Sequence, residues 1–172
     1  VSTAVSSGLT RRPRAGGRNG PPFEPADHAL GRSRGGFGTK LHVVVDAVGW
    51  IVAVAIGPGQ EHETKKFEPL MQRLEAGPLT GSISRLSGDK GYSSQAIRDW
   101  LNARNIQDVI PRRGNEHQDQ LFDRQRYRQR NIVERTIGWL KEFRRIATRY
   151  EKLATHFLGM INLVTILQYI IY

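Results

Sequence analysis

Residues 40–46, KLHVVVD, and 50–56, WIVAVAI, are short runs rich in valine and isoleucine separated by AVG, a pattern that predicts a β-hairpin. VSTAV at the start, SISRLSGD at 82–89 and IQDVIP at 106–111 predict three more strands. Between them the spacing changes. KKFEPLMQRLE at 65–75 and KGYSSQAIRDWLNARN at 90–105 have the period of amphipathic helices, the second starting at Ser93 or Ser94. In YRQRNIVERTIGWLK, residues 127–141, a long helix is expected. Ile132, Val133, Trp139, Leu140, Phe143 and Ile146 gather on one side of its extended wheel, whereas Tyr127, Arg130, Glu134 and Lys141 fall within an arc of roughly 60°. The closing segment, residues 156–172, is the most apolar of the chain and shorter than a membrane span. With Asn162 and Gln168 inside it, it reads as a core helix. Strands interleaved with helices predict an α/β protein, a mixed sheet covered by helices.

Local chemistry adds detail. Asp46, at a strand end, is expected to bond the backbone of the turn, and His42 to be a packed or exposed sheet residue. Thr64 is the expected N-cap of the first helix, and Pro69 should shorten or kink it. Glu61, His62 and Glu63 could approach a metal, but adjacent residues on a turn seldom converge on one ion, and the capping role is preferred. Residues 8–38 are rich in Gly, Pro and Arg and poor in apolar side chains, so a mobile or loop-like segment is expected. GRSRGGFGTK at 31–40 lacks the Gly, Lys, Ser/Thr order of a P-loop, which argues against ATP binding.

A chain of 172 residues is long enough for one domain with a real core. The absence of cysteine excludes disulfides, thiolate metal sites and cysteine nucleophiles, and leaves oxygen or imidazole as metal ligands. The net charge of +10 is concentrated in two blocks. Residues 1–40 carry seven Lys/Arg against Glu24 and Asp27, and residues 124–152 carry ten against Glu134, Glu142 and Glu151. Basic blocks around a near-neutral body fit a polyanion such as nucleic acid, although basic surfaces also serve solubility or acidic membranes. VSTAVSSGLT lacks the cationic start and apolar run of a signal peptide, so a cytoplasmic location without a membrane partner is expected.

Two carboxylates carry the candidate chemistry. Glu134 lies among cations on its helix face, with Gly138 leaving space beside it, a setting that suits a metal ion and a phosphate backbone as well as an ordinary solvated face. Asp89 stands where a strand gives way to a loop, the edge at which α/β sheets present ligands, and also a common place for a turn-forming Asp. The spacing Tyr, two residues, Arg, three residues, Glu, six residues, Lys resembles the signature of bacterial insertion-sequence transposases of the DDE type, and GDKGYSS resembles the block around that family's second acidic ligand. The run at 31–40 resembles the segment entering the family's second strand. The resemblance covers about residues 1–170 and implies a ribonuclease-H-like catalytic domain at 39–172, preceded at 1–38 by a basic segment with a remnant of the first strand. It implies Asp89 and Glu134 as catalytic Mg²⁺ or Mn²⁺ ligands, and Tyr127, Arg130 and Lys141 as contacts to double-stranded DNA at the element ends. Metal-dependent strand cleavage and strand transfer, by a homo-oligomer on nucleoid DNA, is the activity it implies.

One position departs from the pattern. The family's first acidic ligand precedes a Ser-Thr pair; here that pair is Ser2-Thr3 and Val1 precedes it, while Glu24 and Asp27 match no ligand position. A C-terminal catalytic portion of a longer transposase, with activity impaired by the missing carboxylate, is therefore the expectation. The competing readings are a non-catalytic nucleic-acid-binding remnant and a simple nuclease of the same fold.

Overall fold

The computed structural model describes residues 2–11, 28–77, 83–114, 116 and 122–171. Its strands are β1 Ser2–Arg11, β2 Gly31–Ser33, β3 Gly36–Val45, β4 Ile51–Pro58, β5 Arg85–Gly88 and β6 Gln107–Val109. The helices are α1 Phe67–Glu75, α2 Gln95–Asn102, α3 Arg124–Arg128, α4 Asn131–Glu142, α5 Arg144–Ala147 and α6 Ala154–Ile171.

All six strands form one mixed sheet. β3 pairs antiparallel with β4 on one side and β1 on the other, and β1, β5 and β6 then run parallel. Three antiparallel strands followed by two parallel ones make the ribonuclease-H-like order that the sequence resemblance implies. β1 is central, with Ala4 to Arg11 opposite Val45 to Gly38 and Ser2 to Val5 beside Arg85 to Gly88.

Alternation along the strands builds two cores. Val5 and Val44 face α1 and α2, where Phe67, Leu70, Leu74, Ile97 and Leu101 close the layer. Ala4, Leu41, Val43 and Val45 face α4 and α6, meeting Val133, Ile137, Leu140, Phe157 and Ile161. The predicted hairpin is present as β3 and β4. Asp46 ties its turn by accepting from the N–H groups of Val48, Gly49 and Trp50 at 2.9 to 3.0 Å. Gly49 has φ +100°, a left-handed conformation that suits glycine.

Four expectations need correction. Residues 8–11 and 31–33 are strand rather than loop, because β3 extends back to Gly36 and pairs with both; Glu24 and Asp27 lie outside the described residues. Residues 127–141 do not form one helix: α3 ends at Arg128 and α4 starts at Asn131. α3 buries no side chain, so the core fixes only the axis of α4, and the two are joined through Gln129 and Arg130. The turn Glu63–Lys66 is capped by His62, whose Nδ1 accepts from Thr64 N–H, and Pro69 sits harmlessly in the first turn of α1. Finally, α6 is a core helix along one stripe only. Phe157, Ile161 and Val164 are buried, while Ile166 and Ile170 are 54% and 73% exposed. Its 18 residues are long and apolar enough to cross a bilayer by length and composition.

Candidate active site at the carboxyl edge of the sheet

The parallel pairing with β5 ends at Val5, so Ser6 to Thr10 have no paired strand on that side, and only at Arg11 does the chain bridge again, to Thr148. Asp89 follows Gly88, which lies beside Val5, so the carboxylate comes abreast of Ser6. Ser6 Oγ lies 3.5 Å from Asp89 Oδ2, and Asp89 Oδ1 accepts from Gly91 N–H at 2.8 Å. The side chain thus caps the short 3-10 turn Lys90–Tyr92 and keeps one oxygen toward β1. Burial raises the Asp89 carboxyl above its ordinary pKa; the Gly91 N–H opposes the rise, nearby Glu63 adds to it and Arg130 lowers it.

α4 reaches the same edge from the other face. Its apolar stripe packs against β1 and β3, and a Cβ on Gly8 would meet Ile137 at 3.1 Å and Lys141 Nζ at 3.5 Å. Arg130, at the N-cap of α4, donates to Glu134 Oε1 at 2.8 Å, and its charge acts on Asp89 as well. Its direct partner is Glu134; on Asp89 it acts only through charge, and less than burial, the Gly91 N–H or Glu63 does. Although α3 and α4 are separate, Tyr127 stays beside this group, with the Arg130 guanidinium 5.1 Å from its ring centroid. Glu134 and Lys141 are exposed, Asp89 and Arg130 half-buried. Among the described residues, no three acidic, histidine or cysteine side chains converge as a ready metal cage.

The register also locates the departure at the start of the chain. Ser2 and Thr3 lie beside Arg85 and Leu86, at the far end of β5 from Asp89, about 13 Å along the strands at 3.3 Å per residue. Val1 lies outside the described residues. Ser6 is the β1 residue that stands next to Asp89.

A third carboxylate lies close to Asp89, that of Glu63, for which the sequence favoured a capping role over a metal role. Glu63 Oε1 accepts from Lys40 Nζ at 2.8 Å and sits 3.5 Å from Ser7 Oγ. Burial raises the Glu63 carboxyl most, but the Lys40 hydrogen bond, a backbone hydrogen bond and the charges of Lys40 and His62 together hold its pKa below the usual value. Arg113 braces the two loops, donating to the carbonyls of Lys90 and Gly91 and lying 2.8 Å from His62 Nε2. Beneath them His42 is fully buried, with Nδ1 2.8 Å from the Tyr92 hydroxyl. Desolvation, with help from the charge of Lys40, lowers its pKa to about 4, so it is neutral at ordinary pH. The acidic turn at 61–63 was visible in the sequence; its approach to Asp89 depends on pairing between distant strands and was not.

Comparison with known proteins bears on this geometry. The family profile described as Transposase DDE domain matches residues 11–168. The chain is 33% identical over 124 residues to a protein of Burkholderia cepacia described as a transposase for insertion sequence element IS402, covering 68% of this chain and 56% of that one. A protein of Brucella ovis described as a transposase for insertion sequence element IS6501 is 28% identical over 127 residues, 73% of this chain and 92% of that protein. The chain thus spans little more than half the length of the Burkholderia relative. The cryo-EM structure of piggyBac transposase in a synaptic complex with hairpin DNA shares the fold, with a TM-score of 0.51 at 14% identity over 94% of this chain and 44% of that one.

Proposed function

This chain belongs to the Transposase DDE domain family, and from that premise we propose that it is the catalytic portion of an insertion-sequence transposase that cuts and joins DNA at element ends in the bacterial cytoplasm. The supporting observation is geometric: Asp89, held by Gly91 N–H, lies beside Ser6 of β1, and α4, which carries the Arg130–Glu134 ion pair, packs on the same strand with Ile137 and Lys141 against Gly8.

The donor set suits a hard divalent ion such as Mg²⁺ or Mn²⁺. Asp89 and Glu134 offer carboxylate oxygens, and Mg²⁺ is often held by one or two carboxylates together with waters and substrate phosphate. When bound, such an ion would activate an attacking hydroxyl and neutralise charge on the scissile phosphate. The protein's own part is positioning. Asp89, anchored by Gly91 N–H, presents its other oxygen at the open side of β1. Arg130 balances the carboxylates and has further N–H groups to offer a phosphate, while Lys141 adds a point charge at Gly8. Tyr127, stacked against Arg130, supplies a ring for a base or sugar at the element end. A complete transposase would act as a homo-oligomer on two DNA ends.

The lack of a three-ligand cage among the described residues favours a second reading, a DNA-binding remnant without catalysis. A supercoiled plasmid bearing the source element, compared with one lacking its terminal repeats, separates the readings. The transposase reading expects Mn²⁺-dependent nicks at the ends, lost in Asp89→Asn and Glu134→Gln. Salt-sensitive binding without nicking would support the remnant, and equal cutting of both plasmids a nuclease.

A further inference from the structure

We propose that Glu63 is a cation ligand alongside Asp89, so that the site recruits a carboxylate from the loop after β4 in addition to the one on α4. This rests on the reading of Asp89 as a metal ligand. A Cβ added at Gly91 would stand 2.8 Å from Asp89 Oδ1 and 2.9 Å from Glu63 Cδ, so the two carboxylates flank a cradle that only glycine leaves open. Both side chains border hydroxyls on β1 just beyond its pairing with β5, Asp89 that of Ser6 and Glu63 that of Ser7, each at 3.5 Å. At that length neither hydroxyl is a strong donor to its carboxylate. The Ser6 and Ser7 hydroxyls therefore do not compete strongly for these carboxylates, whose oxygens have the chemistry of a hard divalent ion's shell.

A cation already sits on this carboxylate. The Lys40 ammonium lies 2.8 Å from Glu63 Oε1 and is steered there by its bond to the Glu61 carbonyl at 2.6 Å. Lys40 thus competes with an incoming ion for the same oxygen, and yields as a second positive charge approaches. The arrangement predicts effects of opposite sign, which a purely structural Lys40–Glu63 pair would not give. Lys40→Met should tighten Mn²⁺ binding several-fold by removing the competitor, while Glu63→Gln should weaken it by about tenfold or more.

Isothermal titration of the whole chain with Mn²⁺ tests this without any DNA reaction. The inference expects weaker binding in Glu63→Gln, tighter binding in Lys40→Met and lost binding in Asp89→Asn. Loss in Asp89→Asn with Glu63→Gln unchanged would overturn the role of Glu63 and leave the metal reading of Asp89 standing. Uptake unchanged in both carboxylate variants would overturn that reading as well. Should Glu63→Gln fail to fold, Lys40→Met still decides, because unchanged or weaker Mn²⁺ binding in that variant contradicts competition at Glu63.

Discussion

Replacing Asp89 by Asn should make the metal-free protein more stable at neutral pH while abolishing its response to divalent ions. Desolvation holds the carboxyl pKa above its ordinary value, with Glu63 contributing and Gly91 N–H opposing. The folded state therefore binds the proton more tightly than the unfolded chain. The stability this gives is fully present below the unfolded pKa and is lost as pH rises through the folded value. Asp89 Oδ1 and the Glu63 carboxyl both lie within 3 Å of the point a Cβ would occupy on Gly91, so they lie within about 6 Å of each other. At an effective dielectric of about 20, two unit charges at that distance repel by about 3 kcal/mol. Lys40 beside Glu63 cancels most of this. An amide oxygen keeps the Gly91 bond but loses the charge-assisted part, about 0.5–1 kcal/mol. A net gain of about 1 kcal/mol is expected, which raises Tm by about 2–4 °C for a chain of this size. Thermal unfolding at pH 7 and pH 3.5 checks the sign: the gain should appear at pH 7 and vanish at pH 3.5, where the wild-type carboxyl is mostly protonated. Mn²⁺ should then raise the Tm of wild type and not of the variant. A loss of more than about 1 kcal/mol at pH 7 would refute the reasoning and make Asp89 a structural cap.

Ser6→Asp would place a third carboxylate beside Asp89 at a buried position; Tm should fall without metal and recover with Mn²⁺ in differential scanning calorimetry. Arg130→Gln should weaken binding to non-specific duplex DNA and lower the salt slope of log K by about 1, measured by fluorescence anisotropy across a salt series. Arg149 is fully buried, bonding Thr39 and the carbonyls of Ala29, Glu151 and Lys152, so Arg149→Met should cost about 3–4 kcal/mol in urea unfolding through the acceptors it leaves unpaired.

Valine- and isoleucine-rich runs split by a turn made β3 and β4 legible, and Ser94 marked the start of α2, because these signals are local. The break between α3 and α4 carried no proline or glycine; it follows from which residues reach the core, a tertiary property. α6 misled for the opposite reason. Its composition is apolar on every side, so the sequence could not say that only Phe157, Ile161 and Val164 would be covered. Asp89 and Glu134 were singled out by motif, whereas Ser6 and Glu63 required the register of β1 against β5 and the fold of the loop after β4. Sequence spacing points to types of ligand; strand pairing decides which of them become neighbours.

Paramagnetic broadening by Mn²⁺ in amide NMR spectra tests most directly whether the sheet edge and α4 grip one ion. Sub-stoichiometric Mn²⁺ should broaden the amides of Asp89 to Gly91 and those around Glu134 together, at the same concentration, with both effects lost in Asp89→Asn. Broadening confined to the Asp89 loop, with the first turns of α4 unaffected, would contradict the shared site.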